Sequence, residues 1–286
     1  MSLAIGTYFI LFFPALIFYI IICLKDRGDR ESAILLSQLI LSGAIVAVPL
    51  FFAESKLQSL ADKLFEKFVT LDVNGEAIYS NSGMEIVHAL VCGFLCVALA
   101  EGVVKFLILF FITNKNKEYT SFFDGIFYST NISVGFCVAK CIIYAVAVNS
   151  DTFLTRLIVA LPGAFFIGIV TGIFYSLWHT YSAATAAEKI FTAENEIENI
   201  KPLRYRFWLI LSIVMTVLLR GLDVFTELMD KTSWNIVFYV AVTAFYIFAF
   251  VTVFKMKKEE NLEEEITERL LSEKYPDYYK KDGKEI

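Results

Sequence analysis

Histidine is almost absent from this chain: 286 residues contain 2, His88 and His179. Both sit near the ends of apolar runs, so a site built from several converging imidazoles is excluded. Cysteine is scarce as well, and all 5 residues (Cys23, Cys92, Cys96, Cys137 and Cys141) fall within apolar stretches. A secreted disulfide framework is therefore not indicated. Positive charge is outweighed, with 25 Lys and Arg against 30 Asp and Glu and a formal net charge of -5. No basic stripe of the kind that binds nucleic acid is present. Internal repeats and low-complexity segments are also missing.

What the chain has is apolar surface. It is 57% hydrophobic with 28 Phe and a mean hydropathy of +0.64, more than a soluble domain of this length could hide. Crossing a ~30 Å hydrocarbon core takes ~20 helical residues. Runs of that length at 3–24, 33–53, 85–113, 122–149, 154–177, 207–228 and 234–254 predict an all-α polytopic membrane bundle of about seven transmembrane helices. The first run has no basic n-region and no Ala-x-Ala cleavage site, so it reads as an anchor. Lysine and arginine accumulate on the cytoplasmic side of membrane proteins. With the N-terminus outside, the inner segments hold Lys25, Arg27, Arg30, Lys115, Lys117, Lys189, Lys201, Arg204, Arg206, Lys255, Lys257 and Lys258. The outer segments hold Lys56, Lys63, Lys67, Arg156 and Lys231, which predicts an N-out, C-in orientation.

The expected organisation is a transmembrane domain over 1–254 and an acidic cytoplasmic tail over 255–286, where Glu259, Glu260, Glu263, Glu264, Glu265 and Glu268 cluster. Two loops carry helical patterns. In an outer segment at 54–84, Leu57, Leu60, Leu64, Phe65 and Phe68 recur at helical spacing over 54–71 beside charged residues, which fits either a surface helix or a cap on the bundle. Asp72 to Gly83 reads as a turn-rich connection. An Ala- and Glu-rich cytoplasmic helix is expected within 180–205, most simply extending the fifth transmembrane helix.

Ionisable residues inside the apolar runs are the most informative feature. Glu101 and Lys105 share one run, Lys140 lies in another, and Arg220 and Asp223 lie in a third. A charge at the middle of a membrane helix costs at least ~2.5–3.5 kcal/mol on insertion scales, so such residues face a protected interior and mark function. Glu101 with Lys105 and Arg220 with Asp223 have the spacing of pairs on one helix face. Cys92 with Cys96 and Cys137 with Cys141 have the same spacing, and four thiolates converging would suit a soft metal. The alternative is that these cysteines are small core residues. Gly135, Gly163, Gly168 and Gly172 are expected to permit close helix contact.

In their settings these residues resemble the PrsW-type intramembrane proteases, relatives of the CAAX prenyl endopeptidases. Glu101-Gly102-Val103-Val104-Lys105 looks like that family's E-E-x-x-K block. Phe123-Asp124-Gly125-Ile126-Phe127-Tyr128, followed by Gly135-Phe136, looks like its F-D-G-I-x-Y block, and Lys25-Asp26-Arg27 like its opening loop. The resemblance implies a prokaryotic cytoplasmic membrane, and a role in regulated proteolysis of single-span regulators such as anti-sigma factors. The departures are as specific. Gly102 stands for the second glutamate, Lys140-Cys141 for a Glu-Asn pair, Ala164 for a histidine, and Arg220 for the histidine of a His-Gly-x-x-Asp block that keeps Asp223.

Arginine stays protonated and offers no acceptor, so it can serve neither as base nor as ligand. No cofactor is expected, because the family's metal ligands are replaced. Glu101, Asp124 and Asp223 against Lys105, Lys140 and Arg220 sum to zero, predicting a salt-bridged polar cluster in a non-catalytic pseudoprotease that still binds transmembrane segments. A second reading keeps catalysis, with Glu101 as general base and Asp223 as its acidic partner. A third makes the charges the lining of a transporter or channel.

Overall fold

The computed structural model describes residues 33–71, 77–79, 81–113, 119, 122–148, 153–192, 203–229, 234, 236–237, 240–252 and 254–255, with Ile17 and Ile20 besides. The first expected span and the acidic tail lie outside the described residues, apart from Ile17 and Ile20, which are helical, and Lys255. The chain divides into two compact units, Met1–Thr243 and Ala244–Ile286. Among the described residues, four helical segments are long and apolar enough to cross a membrane: Ile34–Phe68, Ser82–Thr113, Phe123–Ala147 and Leu209–Met229. Two shorter apolar helices cover Gly163–His179 and Val240–Thr252.

Helix α1 runs from Ala33 to Phe65. The expected break after residue 53, with a separate helix over 54–71, does not occur. The reason is the inner face: Glu54 and Ala61, seven residues apart on one side, are buried, while Leu57, Leu60 and Leu64 face outward. A helix with an inward stripe past its apolar run has no cause to stop. One turn of 3-10 helix, Glu66–Phe68, then leads to strand β1, Val69–Leu71, which pairs antiparallel with β2, Ala77–Tyr79, through Val69↔Tyr79, Thr70↔Ile78 and Leu71↔Ala77. A hairpin thus replaces part of the expected turn-rich connection; Asn74-Gly75 lies outside the described residues.

The next rod begins at Asn81, whose extended backbone and side-chain oxygen, accepting from Gly83 N at 3.0 Å, cap the first turn. Asn81→Ala is expected to cost about 1 kcal/mol, read as a lowered midpoint of thermal unfolding in detergent. The rod comprises α2 (Ser82–Leu90), a π-helical stretch (Val91–Ala98) and α3 (Leu99–Thr113). Wider π turns rotate the angular register of the helix beyond them and are frequent at functional sites; here they end three residues before Glu101. Helices α4 (Phe122–Val148), α5 (Phe153–Thr192), α6 (Leu203–Met229) and α7 (Val240–Thr252) complete the described elements. Helix α5 continues as one element into the expected cytoplasmic segment as far as Thr192; residues 193–202 lie outside the described set.

Within the first unit, α4 packs against α1 and α5, and α5 against α6, while α3 touches α1, α4 and α6. Leu35, Leu39, Phe106, Leu109, Tyr128, Ile132 and Tyr175 from α1, α3, α4 and α5 form one buried cluster. The α1–α4 approach is close because glycines face backbone on both sides: Gly43 meets the Ile132 carbonyl and Gly135 the Ile40 carbonyl. Gly168 and Gly172 do the same for α5 on α4, a Cβ at Gly168 falling 2.6 Å from Thr130 Cα. At Gly163, by contrast, nothing among the described residues lies within 4 Å of the Cβ position.

Candidate functional site

Four helices deliver one ionised cluster to the interior. Glu101 on α3 is 1% exposed and accepts from three cations. Lys105 Nζ, one turn along, donates to its Oε2 at 3.1 Å, and Lys140 Nζ from α4 to its Oε1 at 2.5 Å. Arg220 on α6 adds a fork, Nε to Oε2 at 3.2 Å and Nη2 to Oε1 at 3.3 Å. Two-pronged guanidinium binding of this kind fixes geometry as well as charge. Arg220 also pairs with Asp223 through Nη1. The Phe136 ring lies under the two ammonium groups, its centroid 4.3 Å from Lys105 Nζ and 5.3 Å from Lys140 Nζ.

The structure thus brings together Glu101, Lys105, Lys140, Arg220 and Asp223, and leaves Asp124 out. Asp124 is buried in the first turn of α4, about 16 residues and roughly 24 Å along the helix from Lys140. Its electrostatic neighbours include Tyr119 and His179; burial raises the Tyr119 phenol well above its usual range. The third negative charge is Glu54 of α1, which accepts from Lys140 at 2.5 Å. The sequence reading places Glu54 in the outer segment. Its signal was position, directly after Phe51-Phe52-Ala53 at the end of an apolar run. Glu54 Oε1 is buried without a hydrogen-bond partner among the described residues.

The positions at which the resemblance implies a second glutamate and a histidine are closely packed. A Cβ on Gly102 would lie 3.0 Å from Val217 Cγ2 and 3.6 Å from Thr216 Cγ2, so α6 occupies the space a second glutamate would need. Ala164 packs with Cys137, Cys141 and Leu157. Cys92 and Cys96 sit in a different cluster with Ala61, so the four-thiolate site is corrected to two separate buried pairs. Thr171 and Thr216 hydroxyls, 2.6 Å apart, tie α5 to α6 beside this region.

A second titratable group lies at the start of the α2 rod. His88 Nε2 is 2.9 Å from Asp62 Oδ1 and 3.4 Å from Cys92 Sγ, and its Nδ1 is 2.8 Å from the Tyr79 hydroxyl. Burial raises the Tyr79 phenol above its usual value, keeping it a hydroxyl. Sequence reasoning missed this group; the signal was His88 and Cys92 one helical turn apart.

Comparison with known proteins finds relatives of one family. "Protease PrsW" of Geobacillus kaustophilus (strain HTA426) is 24% identical over 152 residues, 53% of this chain and 57% of that relative, so the chain spans little over half of its length. "Protease PrsW" of Oceanobacillus iheyensis is 22% identical over 169 residues, 59% of this chain and 67% of the relative. That of Clostridioides difficile (strain 630) is 26% identical over 217 residues, 74% of this chain and 75% of the relative. No solved structure matches. The family model described as "PrsW family intramembrane metalloprotease" matches residues 31–254, a range that takes in every helix of the charged cluster, and the chain belongs to that family.

Proposed function

We propose that this multi-pass membrane protein is a non-catalytic member of the PrsW family, lying N-out and C-in in a prokaryotic cytoplasmic membrane and binding single transmembrane segments without cutting them. The observation that carries the reading is the state of Glu101: both carboxylate oxygens accept from ammonium or guanidinium donors. A general base needs a lone pair free to reach the proton it abstracts, and here the lone pairs point at cations.

The family's metal does not fit this cluster. A divalent ion there would enter a space bounded by Lys105, Lys140 and Arg220, and the nearest carboxylate already satisfies them. The positions that would bring imidazoles hold Ala164 and Arg220, and His88 and His179 pair elsewhere, with Asp62 and Tyr119 respectively. Three cations around one buried anion supply the compensating charge an ion would have provided, with Glu54 and Asp223 closing the balance. The proposed partners are single-span membrane proteins of the anti-sigma class, the substrate class implied by the resemblance.

The test is a panel of single-span membrane substrates incubated in lipid with the purified protein, beside an active relative. The relative is expected to cut and this protein to leave the panel intact, while a photocrosslinker at Val103 captures a bound span. Cleavage that disappears in both Glu101→Gln and Asp223→Asn would sink the proposal in favour of a working glutamate-aspartate site. Asp223→Asn is the cleaner control, since that side chain is 32% exposed.

A further inference from the structure

His88 is the meeting point of side chains from three elements outside the buried charge cluster. Asp62 comes from the last turn of α1, Tyr79 from the end of β2, and Cys92 from the next turn of the rod after His88. One oxygen, one nitrogen and one sulfur from Asp62, His88 and Cys92 all lie within 4.8 Å of one another, the one such group among the described residues.

Two kinds of chemistry use these residue types, and the geometry separates them. A nucleophile–base–acid relay places the acid on one ring nitrogen and the nucleophile on the other. Here Asp62 Oδ1 and Cys92 Sγ both approach Nε2, while Nδ1 faces the Tyr79 hydroxyl. That arrangement cannot pass a proton from thiol to carboxylate through the ring. It does gather three donor atoms within 4.8 Å of one another, with the ring held from behind by a hydrogen bond, as ligating histidines are.

We propose that Asp62, His88 and Cys92 form a binding site for a divalent transition-metal ion of the zinc class. A mixed sulfur, nitrogen and oxygen set suits zinc-like ions, whereas magnesium and calcium take oxygen alone. Three protein donors leave a fourth tetrahedral position for water, the form of an open site. Access comes from the Asp62 side: its side chain is 64% exposed and that of His88 15%, while Cys92 is buried. The ion would lock the end of α1 to the start of α2. Helix α1 also carries Glu54, about two turns from Asp62, so the clamp holds the helix that completes the buried cluster.

The test uses the full chain in lipid nanodiscs, freed of any polyhistidine tag, stripped with chelator and titrated with Co²⁺. The expected result is one saturable equivalent with thiolate-to-cobalt charge-transfer absorption, displaced by Zn²⁺. Cys92→Ser should abolish the absorption, and Tyr79→Phe should weaken binding by about 10–100-fold, the usual worth of a hydrogen bond behind a ligating imidazole. Asp62→Asn, on an exposed side chain, keeps the test valid if the buried variants fail to fold, and should weaken binding at least as much as Tyr79→Phe. No saturable binding, or equal affinity in the parent and Asp62→Asn, overturns the assignment.

Discussion

Lys140→Met is expected to destabilise the protein by about 3–5 kcal/mol, and adding Glu54→Leu to it should restore most of the loss. Lys140 Nζ bridges Glu54 and Glu101 at 2.5 Å each. Removing it leaves Glu101 still paired with Lys105 and Arg220 but strands Glu54, whose other oxygen has no hydrogen-bond partner among the described residues. A buried carboxylate without compensation is the costly outcome, whereas replacing both members of a buried pair by apolar side chains of similar volume is often neutral. The single and double variants should therefore be strongly non-additive, as groups in one network are. Denaturant unfolding in bicelles reads this directly. A single variant as stable as the parent, or a double variant no better than the single one, would show that Glu54 is not part of the cluster.

Gly135→Leu is expected to have an effect of comparable size, about 3 kcal/mol or more, by a different mechanism. Even a Cβ at this position would meet the Ile40 carbonyl carbon at 2.8 Å and Cα at 2.9 Å, atoms of helical backbone that cannot rotate away. The reciprocal contact at Gly43 against Ile132 means that α1 and α4 must separate as rods. Separation would also pull Glu54 from Lys140, since these two helices carry that pair. Gly163→Leu, where nothing among the described residues lies within 4 Å, is the matched control and should leave the melting temperature nearly unchanged. Equal behaviour of the two variants would refute close α1–α4 contact.

The helices were legible in the sequence because hydropathy acts through length alone: a run of ~20 apolar residues needs no partner to declare itself. Inward placement of Glu101, Lys105, Lys140 and Arg220 was legible for a similar reason, since lipid excludes charge whatever the neighbouring helix is. Family membership followed from short local blocks. Partner choice was not legible, because it depends on the axial offset between helices distant in the chain. Counting intramembrane charges admitted Asp124, buried but far along α4 from the cluster, and passed over Glu54, whose helix continues inward past its apolar run. Likewise a spacing of four allowed both cysteine pairs to meet, yet α1 and α5 cover them separately. The sequence by itself determined that the chain is a polytopic helical membrane protein and that charges within its apolar runs must be sheltered. Only the tertiary structure decided which charge shelters which, because ion pairs form over a few ångströms and no local pattern measures distances between helices.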